Sequence, residues 1–149
     1  MAKPPVTEIA FHFNATERVA YACRLLRKAV GSGAKVLVTG DSATLKELDA
    51  ALWTFSATDF VPHCDLDGDA ALVAASPVLL TSTLSRTPHH EVLLNLGPLV
   101  PEGFEKFQRV IELVGADEDE RKRARVRWKH YSGRGYAITR HDLTLRNSQ

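Results

Sequence analysis

The sequence predicts an α/β protein with three layers, helices covering both faces of a mostly parallel sheet. Three observations predict it. Short apolar runs alternate with segments of helical period along the chain, the order expected of strand–helix–strand units. The run Lys35-Val36-Leu37-Val38-Thr39 is continuously apolar at its centre, which suits a parallel strand buried on both sides. No internal repeat and no Gly/Ser/Pro-rich linker interrupts the 149 residues, so we expect one domain over residues 1–149.

Taken in order, Glu8-Ile9-Ala10-Phe11-His12-Phe13 alternates with period two and reads as an opening strand. Asn14 followed by Glu17 reads as the start signal of a helix with Val19, Cys23, Leu26 and Val30 on its inner face. Gly31-Ser32-Gly33 ends that helix and leads into the strand at residues 35–39. Asp41 or Ser42 caps a second helix with Leu45, Leu48 and Leu52 facing inward and Trp53 at its end. Residues 64–76 are polar and read as a loop. Pro77–Thr81 and Glu91–Asn95 read as strands, Pro101–Phe107 as a short helix, and Arg109–Val114 as another strand. A helix from Asp117 to Tyr131 has an acidic first turn and basic later turns, matching its macrodipole, and Tyr136–Thr139 closes the chain as a strand. The whole is a Rossmann-like arrangement.

Composition excludes several classes. A hydrophobic share of 44% with 25% charged residues is ordinary for a globular chain. No apolar run nears the roughly 18 residues of a membrane span, and Met1-Ala2-Lys3-Pro4-Pro5 opens no secretory signal, so the cytoplasm is expected. Cys23 sits in a helical core pattern and Cys64 at the start of a polar loop, and the fold does not need a disulfide between them. A net charge of +1 sets up no global field toward nucleic acid, so any electrostatic function must come from a local cluster.

Tests for catalysis fail one after another. A dinucleotide fingerprint needs glycines between the first strand and helix, where this chain has Phe13-Asn14-Ala15-Thr16. Gly31-Ser32-Gly33-Ala34-Lys35 leads into a strand and reads as a helix C-cap. Thr39-Gly40-Asp41-Ser42 has the context of an anion-binding turn, but reads better as a plain turn with an N-cap. Asp65-Leu66-Asp67-Gly68-Asp69 has its glycine too early for a calcium loop and lacks the bidentate glutamate. His12, His63, His89, His90, His130 and His141 form no ligand spacing, and His89-His90 reads as an exposed loop. His63-Cys64 lacks an orienting third residue for nucleophilic work. No catalytic residue, metal or cofactor is expected.

Two surfaces carry a signal. Arg121, Lys122, Arg123, Arg125, Arg127, Lys129 and Arg134 crowd a segment in which Ala124, Trp128 and Tyr131 form one helical stripe. This segment reads as a solvated face beside a core seam, as a pocket for a carboxylate-bearing aromatic chain end, or as a direct single-stranded nucleic-acid surface. The second surface is Trp53 with Phe55, Phe60, Val61 and Pro62, which reads either as core or as a partner's docking patch.

Leu48-Asp49-Ala50-Ala51-Leu52-Trp53, followed by Asp59-Phe60-Val61-Pro62-His63, resembles the signature of the chi subunit of bacterial DNA polymerase III. Gly33-Ala34-Lys35-Val36-Leu37-Val38 and Ala124–Tyr131 fall in order with the same family, so the resemblance spans nearly the whole chain. It implies a Rossmann-like replication accessory subunit without catalytic activity, joined to the clamp loader by the psi subunit. It also implies a site for the acidic, Phe-terminated tail of single-stranded DNA-binding protein, at the positions matching Val114, Arg121, Arg125 and Trp128. Trp128 stands where the family usually has tyrosine. The psi-facing surface matches Trp53 and Phe60, with Val61 and Pro62 beside them, and a repair helicase is a further partner implied for that face. Contact with nucleic acid is then mainly indirect, and none with a membrane is expected.

Overall fold

A computed structural model of the chain describes residues 7–54, 61–66, 68–84 and 88–144. Its elements are β1 (Glu8–Ala15), α1 (Arg18–Gly31), β2 (Val36–Thr39), α2 (Ser42–Thr54), β3 (His63–Asp65), α3 (Ala70–Ala75), β4 (Val78–Thr81), β5 (Val92–Asn95), a 3-10 turn (Phe104–Lys106), β6 (Arg109–Gly115), α4 (Glu118–Gly133) and β7 (Ile138–Asp142). The strands form one seven-stranded sheet in the order β3-β4-β2-β5-β6-β1-β7. Every pairing is parallel. The expected α/β Rossmann-like arrangement is what the chain adopts.

Alternation along the strands builds the layers, because successive side chains point to opposite faces. Val36 and Val38, Val78 and Leu80, and Leu94 turn to the face covered by Ala22, Cys23 and Leu26 of α1 and Leu45, Leu48 and Leu52 of α2. Leu37, Leu79, Leu93, Ile9, Phe11 and Val110 turn to the other face, against Ala124 and Tyr131 of α4 and Phe104 and Phe107 of the 3-10 turn. Both faces of the central strands are therefore dry, as their unbroken apolar runs require.

Local chemistry sets the ends of the elements. The α1 chain reverses through Gly33, whose φ of +87° favours glycine, as the C-cap reading required. Asp41 Oδ1 accepts the Thr44 amide at 2.8 Å and caps α2. That hydrogen bond, first of several causes, holds the Asp41 carboxyl below the usual aspartate range.

Three expectations are corrected. Asn14 is not a helix cap: β1 continues to Ala15, and the N-cap position falls on Glu17, which makes no side-chain cap bond. Asn14 instead takes a left-handed φ of 66° where the β1–β6 register shifts, and its side chain serves other segments. Residues 64–76 are more than a loop. They contribute the three-residue edge strand β3 and the six-residue helix α3, capped by Asp69 accepting from the Ala71 amide at 2.8 Å. Cys64 accordingly lies in a strand, and both cysteines are free thiols. His89 is half-buried rather than exposed, and desolvation pulls its pKa below the ordinary histidine value.

Candidate functional site

α4 lies over the β6-β1-β7 side of the sheet, and a cleft of about 410 Å³ opens beside it. Its apolar lining comes from Phe11 and Phe13 of β1, Val114 near the end of β6, and Ala124 and Trp128 of α4. Arg121, Arg125 and Arg140 stand around it with exposed side chains, together with Asn14. The four residues expected at this site, Val114, Arg121, Arg125 and Trp128, are thus brought together from two elements. Helical spacing does this for the last three, which fall one turn apart along one face of α4.

The lining is built rather than accidental. Trp128 packs on Phe11 with ring centroids 5.2 Å apart, and Val114 is only 2% exposed. Arg121 Nη2 donates to Asn14 Oδ1 at 2.6 Å, and Asn14 Nδ2 donates to Asp142 Oδ1 at 3.0 Å. Asp142 also accepts from Thr144, and hydrogen bonds from Thr144 and Asn14 hold its carboxyl below the usual range. The strand irregularity at Asn14 therefore places an amide that steadies one arginine of the rim. Arg125 has no acidic partner among the described residues, so its guanidinium is available to a ligand.

Beneath α4 lies a polar cluster that sequence reasoning missed. Glu112 of β6 is fully buried and accepts from Arg127 Nε at 2.9 Å, Tyr131 Oη at 2.6 Å and Asn95 Nδ2 at 2.9 Å. Arg127 is 4% exposed and donates a further bond to the Pro98 carbonyl, so it belongs to the interior and not to the basic surface. Burial pushes the Glu112 carboxyl up, opposed by the Arg127 guanidinium and the Tyr131 and Asn95 donors. Burial and the Glu112 charge push the Tyr131 hydroxyl up. A charged residue inside the run Val110-Ile111-Glu112-Leu113-Val114 was the signal available for this cluster.

The second surface is split. Trp53 lies in the last turn of α2 with 62% of its surface exposed, its ring edge-on to the buried His63 at 5.3 Å. His63 in turn meets Asp49, one turn before Trp53, at 3.1 Å and the Val61 carbonyl at 2.6 Å. Pro62 is exposed, whereas Val61 is 2% exposed and packs in the core under α1 and α2. Val61 can brace this patch but does not present a surface of its own. Phe55 and Phe60 lie outside the described residues.

The crevice at the carboxyl ends of β2, β5 and β6, where open α/β sheets commonly take ligands, has a volume of about 260 Å³ and is lined by Arg18, Asp41, Glu120, Arg123 and Arg127 among others. Arg18 Nη1 bridges Glu120 at 3.1 Å and the Leu96 carbonyl at 2.9 Å. Glycine at 115 makes room for this: a Cβ there would stand 1.8 Å from a Glu120 carboxylate oxygen. Gly40 and Gly97 let two loops meet, since a Cβ on Gly97 would lie 3.4 Å from the Gly40 Cα. Among the described residues no group of three or more His, Cys, Asp or Glu side chains is arranged to hold a metal, and no helix is long and apolar enough to cross a membrane.

Comparison with known proteins gives the family. The family model "DNA polymerase III chi subunit, HolC" matches residues 6–139. The chain is 35% identical to the DNA polymerase III subunit chi of Pseudomonas aeruginosa over 127 residues, covering 85% of this chain and 87% of that protein. It is 30% identical to the Haemophilus influenzae subunit chi, covering 79% and 82%, and 26% identical to the Escherichia coli one, covering 78% and 79%. With nearly its whole length matched, the chain belongs to the DNA polymerase III chi subunit family, a component of the bacterial replicase.

Proposed function

We propose that the protein is a non-catalytic, cytoplasmic accessory subunit of the DNA polymerase III holoenzyme, folded as one domain over residues 1–149. It links the clamp loader, through psi, to the C-terminal tail of single-stranded DNA-binding protein. The observation that carries this reading is the cleft in which Val114 and Trp128 supply an apolar seat and Arg121 and Arg125 the cations beside it. A chain end with a terminal aromatic residue and several carboxylates satisfies both halves at once.

The energetics suit a transient tether. Burying a phenylalanine side chain contributes about 1.5–3 kcal/mol, and each charge-assisted hydrogen bond roughly the same. After the cost of ordering a flexible tail, binding on the order of micromolar remains. Many tails on one coated strand then raise the effective affinity without new contacts.

Trp53 and Pro62 form the face we assign to psi, and to a repair helicase in the same role. The exposure of a large indole at a helix end supports this assignment, because such side chains are favoured anchors of interfaces.

Calorimetric titration with an acidic peptide ending in phenylalanine tests the tail site. Binding is expected, with loss on deleting the final phenylalanine and about a tenfold weakening in Arg125→Ala. A bare oligonucleotide that binds as tightly as the peptide would favour direct nucleic-acid binding by α4 and overturn the adaptor reading. Co-purification with psi should fail for Trp53→Ala while peptide affinity stays unchanged.

A further inference from the structure

We infer that Arg140 is a specificity-determining residue of the same cleft, making with Arg121 and Arg125 a three-arginine rim that selects a ligand with several carboxylates beside its aromatic end. The inference rests on the tail-binding reading above and adds to it a residue from a different element. Arg140 pairs with Phe11 in the parallel β1–β7 register, so both side chains belong to the α4 face of the sheet. Phe11 packs on Trp128, and the Arg140 guanidinium lies over the Trp128 ring, 5.7 Å from its centroid.

Its electrostatic state fits a ligand-directed role. Arg140 has an exposed side chain and no acidic partner among the described residues, and its guanidinium meets the Trp128 indole. A guanidinium in contact with a ring face still has N–H donors to offer a carboxylate. The ring contact also limits the side chain's freedom before any ligand arrives, which lowers the ordering cost of binding. Arg121 and Arg125 come from α4 and Arg140 from the edge strand β7, so the rim is fed from two elements. One helix alone would present its cations along a single line. A rim drawn from helix and strand can engage carboxylates at more than one point of a bound chain.

The test uses two synthetic peptides with the same free phenylalanine end, one with acidic side chains before it and one with the matching amides. Calorimetry with the full chain should show Arg140→Ala weakening the acidic peptide about 3- to 10-fold, with a smaller change for the amide peptide. Arg140→Lys should recover most of the preference for the acidic peptide, since it restores the charge. Wild-type-like affinities for both peptides in Arg140→Ala would overturn the inference and leave the tail site standing. Equal weakening of both peptides without rescue by lysine would also overturn it, reducing Arg140 to packing on Trp128. If the wild-type chain binds neither peptide, the tail reading itself fails and this one with it.

Discussion

Replacing Glu112 by alanine should cost the protein a large share of its stability. Glu112 has no exposed surface, and it accepts from Arg127, Tyr131 and Asn95 at 2.6–3.1 Å. Removing it strands the Arg127 guanidinium, which is 4% exposed and keeps, among the described residues, only the Pro98 carbonyl as an acceptor. An uncompensated buried charge of this kind costs about 3–5 kcal/mol. That is roughly a fifth or more of a typical domain's 5–15 kcal/mol, and it corresponds to a fall in Tm of roughly 6–20 °C at this chain length. Urea unfolding at neutral pH measures it, as a lower midpoint with an unchanged slope. The double variant Glu112→Leu, Arg127→Met removes both charges and should lie much closer to the wild type, because apolar replacements of a buried pair are often neutral or better. A loss below about 1 kcal/mol in the single variant would refute the argument. So would a double variant no more stable than the single one.

Further predictions concern the second face and the helix ends. Val61→Ala should lose about 2 kcal/mol by deleting two buried methyl groups' worth of apolar surface, whereas Trp53→Ala, at 62% exposure, should stay within about 0.5 kcal/mol of wild type; thermal denaturation of both separates core from surface. Asp41→Ala should cost about 1 kcal/mol through loss of the α2 cap, read by the same denaturation. The Asp41 carboxyl sits below its ordinary value, so its contribution is present above the unfolded value near about 3.9 and lost as pH falls through the folded one. Stability measured from neutral pH into acid should therefore fall less steeply in Asp41→Asn than in the wild type.

How much was legible depends on whether a residue acts through its own element. The central strands were readable because burial on both faces leaves an unbroken apolar run, as in β2. Helical period put Arg121, Arg125 and Trp128 close together on one helix but left three readings of that face open, and it was the family resemblance that singled them out and added Val114 from another element. Phe13, Asn14 and Arg140 belong to the same cleft but arrive from β1 and β7, through register that no local pattern encodes. β3 pairs only through a three-residue backbone ladder and α3 buries no residue fully, so neither has enough period to show. Arg127 was placed with the surface cations by composition, when its helical position, one turn before the buried Tyr131, turns it toward Glu112. Asn14 misled because the residue types that cap helices also tolerate a left-handed φ within an irregular strand.

The two proposed faces sit far enough apart to work independently. The sheet order puts β3, which carries the His63 ring against Trp53, at one edge, and β7, which carries Arg140, at the other. Six strand spacings of about 4.8 Å separate those edges by roughly 29 Å before twist. The helices differ too: Trp53 lies in the last turn of α2 on one face of the sheet, while Arg121, Arg125 and Trp128 lie on α4 against the other. That separation is about three to four times the range over which substitutions usually couple, about 7–10 Å, and more than 3 times the Debye length of about 8 Å at physiological salt. A partner on the Trp53 face should therefore change tail affinity by less than about twofold, the additivity expected of distant sites. Titrating the acidic peptide into the free chain and into its complex with psi reads this directly. A change of tenfold or more would mean that an element moves on binding, and the leading element to examine would be α4, whose position the Glu112–Arg127–Tyr131 cluster holds against the sheet.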